Sequence, residues 1–100
     1  MATSEADEKD WDSFLNLFCA LKEKKRVRVL FELFFTADER EMLVKRYRLV
    51  KTLLTSDLPQ REVSELLNLS ISKVTAGSKA VQLLSSEDRK LILKKLEEQH

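Results

Sequence analysis

One glycine, Gly77, and one proline, Pro59, are all that this chain holds in 100 residues. A sheet protein of that length needs several hairpin turns, and such turns draw on Gly, Pro and Asn. Long helices joined by short polar breaks need few of them. The chain therefore reads as all-α, and its length suits a single core. With 43% hydrophobic and 35% charged residues, it is neither a disordered nor a membrane-embedded composition.

The charges nearly cancel, to +1, but they are unevenly placed. Residues 1–10 hold Glu5, Asp7, Glu8 and Asp10 against Lys9, a net of −3. Residues 22–51 hold ten Lys/Arg against five acids, a net of +5. That leaves room for a basic face, although a solvated helix surface accounts for the same pattern. Cys19, the only cysteine, excludes a disulfide within the chain and, set in an apolar run, reads as a small core residue. The acidic start lacks the apolar segment of an export signal. No apolar run approaches the ~18 residues that span a bilayer, so the expected location is cytoplasmic, with no membrane partner.

Residues 1–10 read as a flexible acidic tail and 11–100 as a single helical domain. Trp11, Phe14, Leu15, Phe18 and Leu21 form one helical stripe, with Asp10 as its N-cap. The basic cluster from Lys22 to Arg28 interrupts it before a second apolar burst, Val29 to Phe35. Thr36-Ala37-Asp38-Glu39 is a capping-box signature, opening a helix to about Leu54 with Leu43, Tyr47, Val50 and Leu54 on one face. These dimerisation and core helices extend to residue 57. Pro59 suits the first turn of the next segment, where its missing N–H is harmless. A helix-turn-helix is expected over 58–84 and a C-terminal helix, capped by Ser85 or Ser86, over 85–100.

All five phenylalanines, 14, 18, 31, 34 and 35, fall in the first 35 residues beside Trp11. Burying one Phe is worth ~1.5–3 kcal/mol, and a domain this small has little interior to hide the cluster. The apolar arms are therefore expected to interlock with a second copy of the chain, as a homodimer.

The stretch Gln60 to Lys79 fits two short helices and a tight turn. Val63, Leu66 and Leu67 give an inner face, and Ser64 is small where two backbones approach. Asn68 tolerates the left-handed conformation that the turn requires. Ser70 caps the second helix and Val74 points back inward, while Ser72, Lys73, Thr75, Ser78 and Lys79 project outward. In a DNA-binding helix-turn-helix the second helix enters the major groove. Lys73 could there donate to guanine O6 and N7. An ordinary helical hairpin with a solvated outer face fits the same pattern.

A wider set of residues resembles the bacterial tryptophan operon repressor family. It comprises Trp11, Phe14, Leu33, the run Phe35-Thr36-Ala37-Asp38-Glu39-Arg40-Glu41, Arg46, Gln60-Arg61-Glu62 and Thr75-Ala76-Gly77-Ser78. The likeness covers the chain from about residue 11 without obvious gaps. It implies a six-helix fold whose first three helices and last helix build an intertwined homodimer. It further implies a sequence-specific transcriptional repressor whose fourth and fifth helices read a pseudo-palindromic, double-stranded operator. The DNA-facing positions would fall on Gln60, Arg61, Ser64, Ile71, Ser72, Lys73 and Thr75.

The resemblance also implies L-tryptophan, or a related small molecule, as corepressor. The pocket positions are Leu33, Phe35, Thr36, Arg46 and Gly77, together with Ala76 and Ala80. Arg46 matches an arginine against the indole, and Gly77 a glycine that makes room for it. Ala76, however, stands where the family has a second arginine that binds the ligand's carboxylate, and Ala80 replaces a serine. Weakened or altered corepressor dependence is the expectation.

Catalysis has no comparable support. The only histidine is His100, and no phosphate loop, metal-ligand cluster or nucleophile–base pair is present in the sequence, so the chain does not read as an enzyme. The alternative to a repressor is a helical dimeric protein-interaction module that no longer reads DNA.

Overall fold

A computed structural model describes residues 4–99. They form six α-helices: α1 (Glu5–Ala20), α2 (Lys24–Phe34), α3 (Ala37–Thr55), α4 (Gln60–Leu67), α5 (Ile71–Gln82) and α6 (Ser86–Glu97). No strand occurs among the described residues. The all-α expectation and the number of helices therefore hold. The chain divides into two compact units, Met1–Arg40 and Glu41–His100.

In the first unit the helix begins six residues before the expected start. Ser4, not Asp10, is the N-cap of α1, accepting from the Asp7 amide at 3.1 Å. Glu5, Asp7 and Glu8 fill the first turn, where negative charge complements the helix's positive end. The expected acidic tail is thus helical from residue 5, and the part of it on residues 1–3 lies outside the described residues. The expected interruption at the basic cluster is present but short, residues 21–23, because α2 starts within the cluster at Lys24. Cys19 is exposed, contrary to its expected place in a core.

Aromatic rings knit the two helices together. Phe14 stacks on Trp11 and meets Phe18 and Phe34 edge-on, with centroids 4.8–5.7 Å apart. Phe18 meets Phe31, which stacks on Phe35. Yet Leu30 is the only buried hydrophobic residue described in this unit. Trp11, Leu33 and Phe34 remain open to solvent, Leu33 at 71%.

The start of α3 follows its capping box: Glu39 N–H donates to Thr36 Oγ1 at 3.1 Å, and Thr36 N–H donates to Glu39 Oε1 at 2.9 Å. The second unit's core lies on a different face of α3 from the expected one. Leu49, 1% exposed, packs with Val63 of α4 and Val74 of α5, and Leu53, Leu67 and Leu69 close around them. On the expected stripe, Leu54 is buried, but Leu43 and Tyr47 are exposed. The helix thus carries two apolar faces, one covered and one largely uncovered. Just beyond the end of α6, Gln99 Oε1 accepts from the Tyr47 hydroxyl of α3 at 3.1 Å. Ser85 caps α6, accepting from the Asp88 amide at 3.0 Å.

Candidate nucleic-acid interface

The α4–turn–α5 pair is built almost wholly by local rules. Pro59 takes the N-cap position, one place ahead of its expected entry into the first turn. Val63 of α4 and Val74 of α5, both 0% exposed, pin the helices across their crossing. Burying such a side chain contributes roughly 1.5–3 kcal/mol. Leu66, expected on the same inner face, is 64% exposed. The pair is narrow, so only Val63 and Leu67 of that triplet turn inward.

Between the helices, Asn68 sits at φ 54°, ψ 48°, the only non-glycine residue with positive φ among those described. The left-handed conformation expected there is what lets the chain reverse in three residues. Ser64, half-buried, donates its hydroxyl to the Leu69 carbonyl, and its own carbonyl accepts from the Leu69 amide at 3.0 Å. Ser64 thus sits where the two backbones approach, as its small size leads one to expect, and its hydroxyl proton ties down the turn.

Ser70 caps α5, accepting from the Lys73 amide at 3.2 Å. Behind that cap, Ile71, Ser72 and Lys73 are exposed on the first turn. Thr75, one turn further on, donates its hydroxyl to Gln60 Oε1 at 3.0 Å, which joins the start of α4 to the middle of α5. Gln60, Arg61, Ile71, Ser72, Lys73 and Thr75 all belong to this one helix pair. No acid occupies the first turn of α5, so its positive end is left unneutralised.

The residues expected around a corepressor fall in both units. In the first, Leu33 is exposed, Phe35 is half-buried against Phe31, and Thr36 belongs to the capping box of α3. In the second, Arg46 is exposed one turn before Leu49 on the same side of α3. Gly77 is buried, and a Cβ on it would lie 2.6 Å from Leu49 Cδ2 and 3.4 Å from Leu53 Cδ1. Close approach of α5 to the leucines of α3 thus gives glycine a packing role at this position. Ala76 and Ala80 are exposed on α5. Leu49, the most buried residue of α3, went unnoticed in the sequence because Leu43, Tyr47, Val50 and Leu54 make an equally regular stripe.

No group of three His, Cys, Asp or Glu side chains that could hold a metal occurs among the described residues. No described helix is long and apolar enough to cross a membrane.

Comparison with known proteins agrees with this geometry. A model of the Trp repressor protein family matches residues 9–97. A Trp operon repressor homolog of Chlamydia trachomatis serovar D is 32% identical over 90 residues, covering 90% of this chain and 96% of that protein. One from Vibrio vulnificus strain YJ016 is 38% identical over 80 residues, 80% of this chain and 78% of its own length. One from Histophilus somni is 35% identical over 77 residues, 77% and 73% of the two chains. Six helices, a tightly turned helix pair and these relatives together define the class of transcription repressors. The chain belongs to the Trp repressor family.

Proposed function

We propose that this protein represses transcription as a homodimer that binds a pseudo-palindromic DNA operator, with α5 as the reading helix. The observation that carries this is the α4–α5 pair itself. Its interior is closed on Val63 and Val74, while Lys73, Ser72 and Ile71 stand exposed at an acid-free helix start. In that geometry Lys73, Ser72 and Ile71 meet base edges, and Arg61, at the start of α4, meets phosphate. Gln60 and Thr75 act as one unit, because their hydrogen bond fixes both side chains before DNA arrives.

The dimer rests on uncovered apolar surface. Trp11, Leu33 and Phe34 of the first unit, Met42 and Leu43 of α3, and Leu91 of α6 are all exposed. Such a set is costly to leave in water and suits burial against a second copy.

L-Tryptophan binding is weaker here than the family pattern implies. Arg46 keeps its place, but Ala76 offers no guanidinium to a carboxylate. A hydrogen bond to a charged group is worth ~1.5–3 kcal/mol, so its loss lowers affinity roughly tenfold to a hundredfold. Calorimetry giving micromolar L-tryptophan binding would overturn this part of the proposal.

Selection of operators from random duplex DNA, with and without L-tryptophan, tests the whole. The expected outcome is a two-fold-symmetric site recovered without the amino acid. With a selected site in hand, Lys73→Ala loosens base preference and Arg61→Ala weakens binding to all sequences alike. No enrichment in either arm would leave a protein-interaction module as the better description.

A further inference from the structure

Four of the six helices obey the helix dipole at their starts. Acids fill the first turn of α1 (Glu5, Asp7, Glu8), α3 (Asp38, Glu39), α4 (Glu62) and α6 (Glu87, Asp88). The first turns of α2 and α5 hold none. On α5 the break with the rule puts Lys73 at the helix proposed to read DNA. On α2 the break is larger and has no part in the function described so far.

Lys22, Lys24, Lys25, Arg26 and Arg28 fall within seven residues, with Glu23 the only acid among them, a net of +4. All five cations are exposed. Of these, Arg28 forms an ion pair, its Nε 3.0 Å from Glu32 Oε1, and the other four form none among the described residues. Glu23, at the N-cap, makes no capping hydrogen bond. Cations at this end of a helix oppose its dipole, and Lys24 and Arg28, four residues apart, repel each other. A dense run of unpaired charge, held where it weakens its own helix, is explained by an anion that meets several cations together.

Two polyanionic surfaces are conceivable: the phosphate row of DNA and the acidic start of α1 on another copy of this chain. The α1 acids already have a local use, since Glu5, Asp7 and Glu8 complement their own helix end. They need no further cation. Phosphates of a duplex, one charge per ~1.7 Å of helix axis, match closely spaced flexible lysines.

Building on the DNA-binding function above, we propose that Lys22, Lys24, Lys25 and Arg26 form a second contact with the DNA phosphate backbone, distinct from the α4–α5 pair.

The test is a salt titration of binding to random-sequence duplex DNA. Wild type is compared with the triple variant Lys24→Gln/Lys25→Gln/Arg26→Gln and with the reading-head variant Arg61→Ala/Lys73→Ala. Each phosphate contact contributes about 0.9 to the slope of log K against log salt. The triple variant is expected to lose between about two and three units of slope while keeping its order of preference among operators. The reading-head variant is expected to keep weak, salt-dependent binding that disappears when the two sets of changes are combined. Circular dichroism checks folding, and helicity is expected to hold or rise because the changes remove charge opposed to the dipole.

A wild-type slope unchanged in a folded triple variant overturns this contact and leaves the reading head standing. Loss of self-association at unchanged slope overturns it in favour of the acidic end of a second copy. A wild type with no salt-dependent DNA binding overturns both this contact and the function it builds on.

Discussion

The α1–α2 pair and the α4–α5 pair are both short, two-helix arrangements, yet they reach opposite states of completion. The 20 residues of α4 and α5 bury Val63, Val74, Gly77 and Val81. The 27 residues of α1 and α2, which include five of the chain's seven aromatic residues, bury Leu30 alone. Side-chain size explains the contrast. Valine and glycine let two backbones close on each other and on Leu49 of α3, so a small interior is sealed with little material. Rings 4.8–5.7 Å apart, most of them edge-on, satisfy one another locally but leave Trp11 and Phe34 open to solvent. A small domain cannot supply the surface to cover them. The α4–α5 pair is closed within one chain, whereas the aromatic pair keeps uncovered faces that the proposed dimer would bury.

The largest expected effect tests that difference directly. Phe18→Ala removes a ring that touches both Phe14 and Phe31. If the rings are covered by a partner copy, the change costs about 3–5 kcal/mol. Urea denaturation at several protein concentrations should then show wild-type stability rising with concentration. A cost below about 1 kcal/mol, with no dependence on concentration, would mean that the rings stay in water and the comparison fails.

Val74→Ala probes the closed side. Val74 is 0% exposed between Val63 and Leu49, and losing its methyls leaves a cavity with nothing free to fill it. A loss of about 2 kcal/mol is expected from the same denaturation curves. An effect of a few tenths would show that α4 and α5 collapse readily, and that their interior is no tighter than the ring cluster.

Gly77→Ala comes next, because two terms of opposite sign compete. Alanine gains about 1 kcal/mol of helix propensity over glycine. Its Cβ would lie 2.6 Å from Leu49 Cδ2 and 3.0 Å from Leu49 Cγ, and overpacking of that kind costs about 1–3 kcal/mol. Leu49 is 1% exposed and packed against Val63 and Val74, so its shift would disturb that core. Overpacking is expected to win, with a net loss of about 1 kcal/mol. A variant more stable than wild type would show that Leu49 gives way and that the glycine serves something other than packing.

These cases also mark what could be read from the chain before its structure. Start signals confined to four residues were legible: Thr36 with Glu39, Ser70 with Lys73 and Ser85 with Asp88 each cap as their sequence indicates. The start of α1 was misplaced because the apolar stripe begins at Trp11, while the helix is carried back to Glu5 by Ser4 and its acids alone. Leu66, expected inward but 64% exposed, and Leu49, buried outside the expected stripe, differ for another reason. Which apolar stripe is buried depends on the neighbour that arrives, and periodicity lists stripes without choosing between them. The candidate interface shows the same divide. Its turn was legible from Asn68 and Ser70, but the inward bond of Ser64 depends on where Leu69's carbonyl falls after the chain reverses.

That turn yields the smallest expected effect and the finest test of the reading pair's completeness. Asn68 holds φ 54°, ψ 48° with its side chain exposed, so its contribution is conformational. Residues other than glycine, asparagine and aspartate reach this region at a cost of roughly 1–2 kcal/mol. Asn68→Ala should therefore lose about 1 kcal/mol. Asn68→Gly should fall within a few tenths of wild type, because easier access to positive φ is set against a freer unfolded chain. Hydrogen exchange at the Leu69 amide, which donates to the Ser64 carbonyl at 3.0 Å, reports on the turn locally. Faster exchange in the alanine variant, with the glycine variant close to wild type, is the expected pair of results. Equal loss in both variants would instead make the Asn68 side chain itself a fastening of the turn, and the reading pair would depend on more than small residues and a left-handed bend.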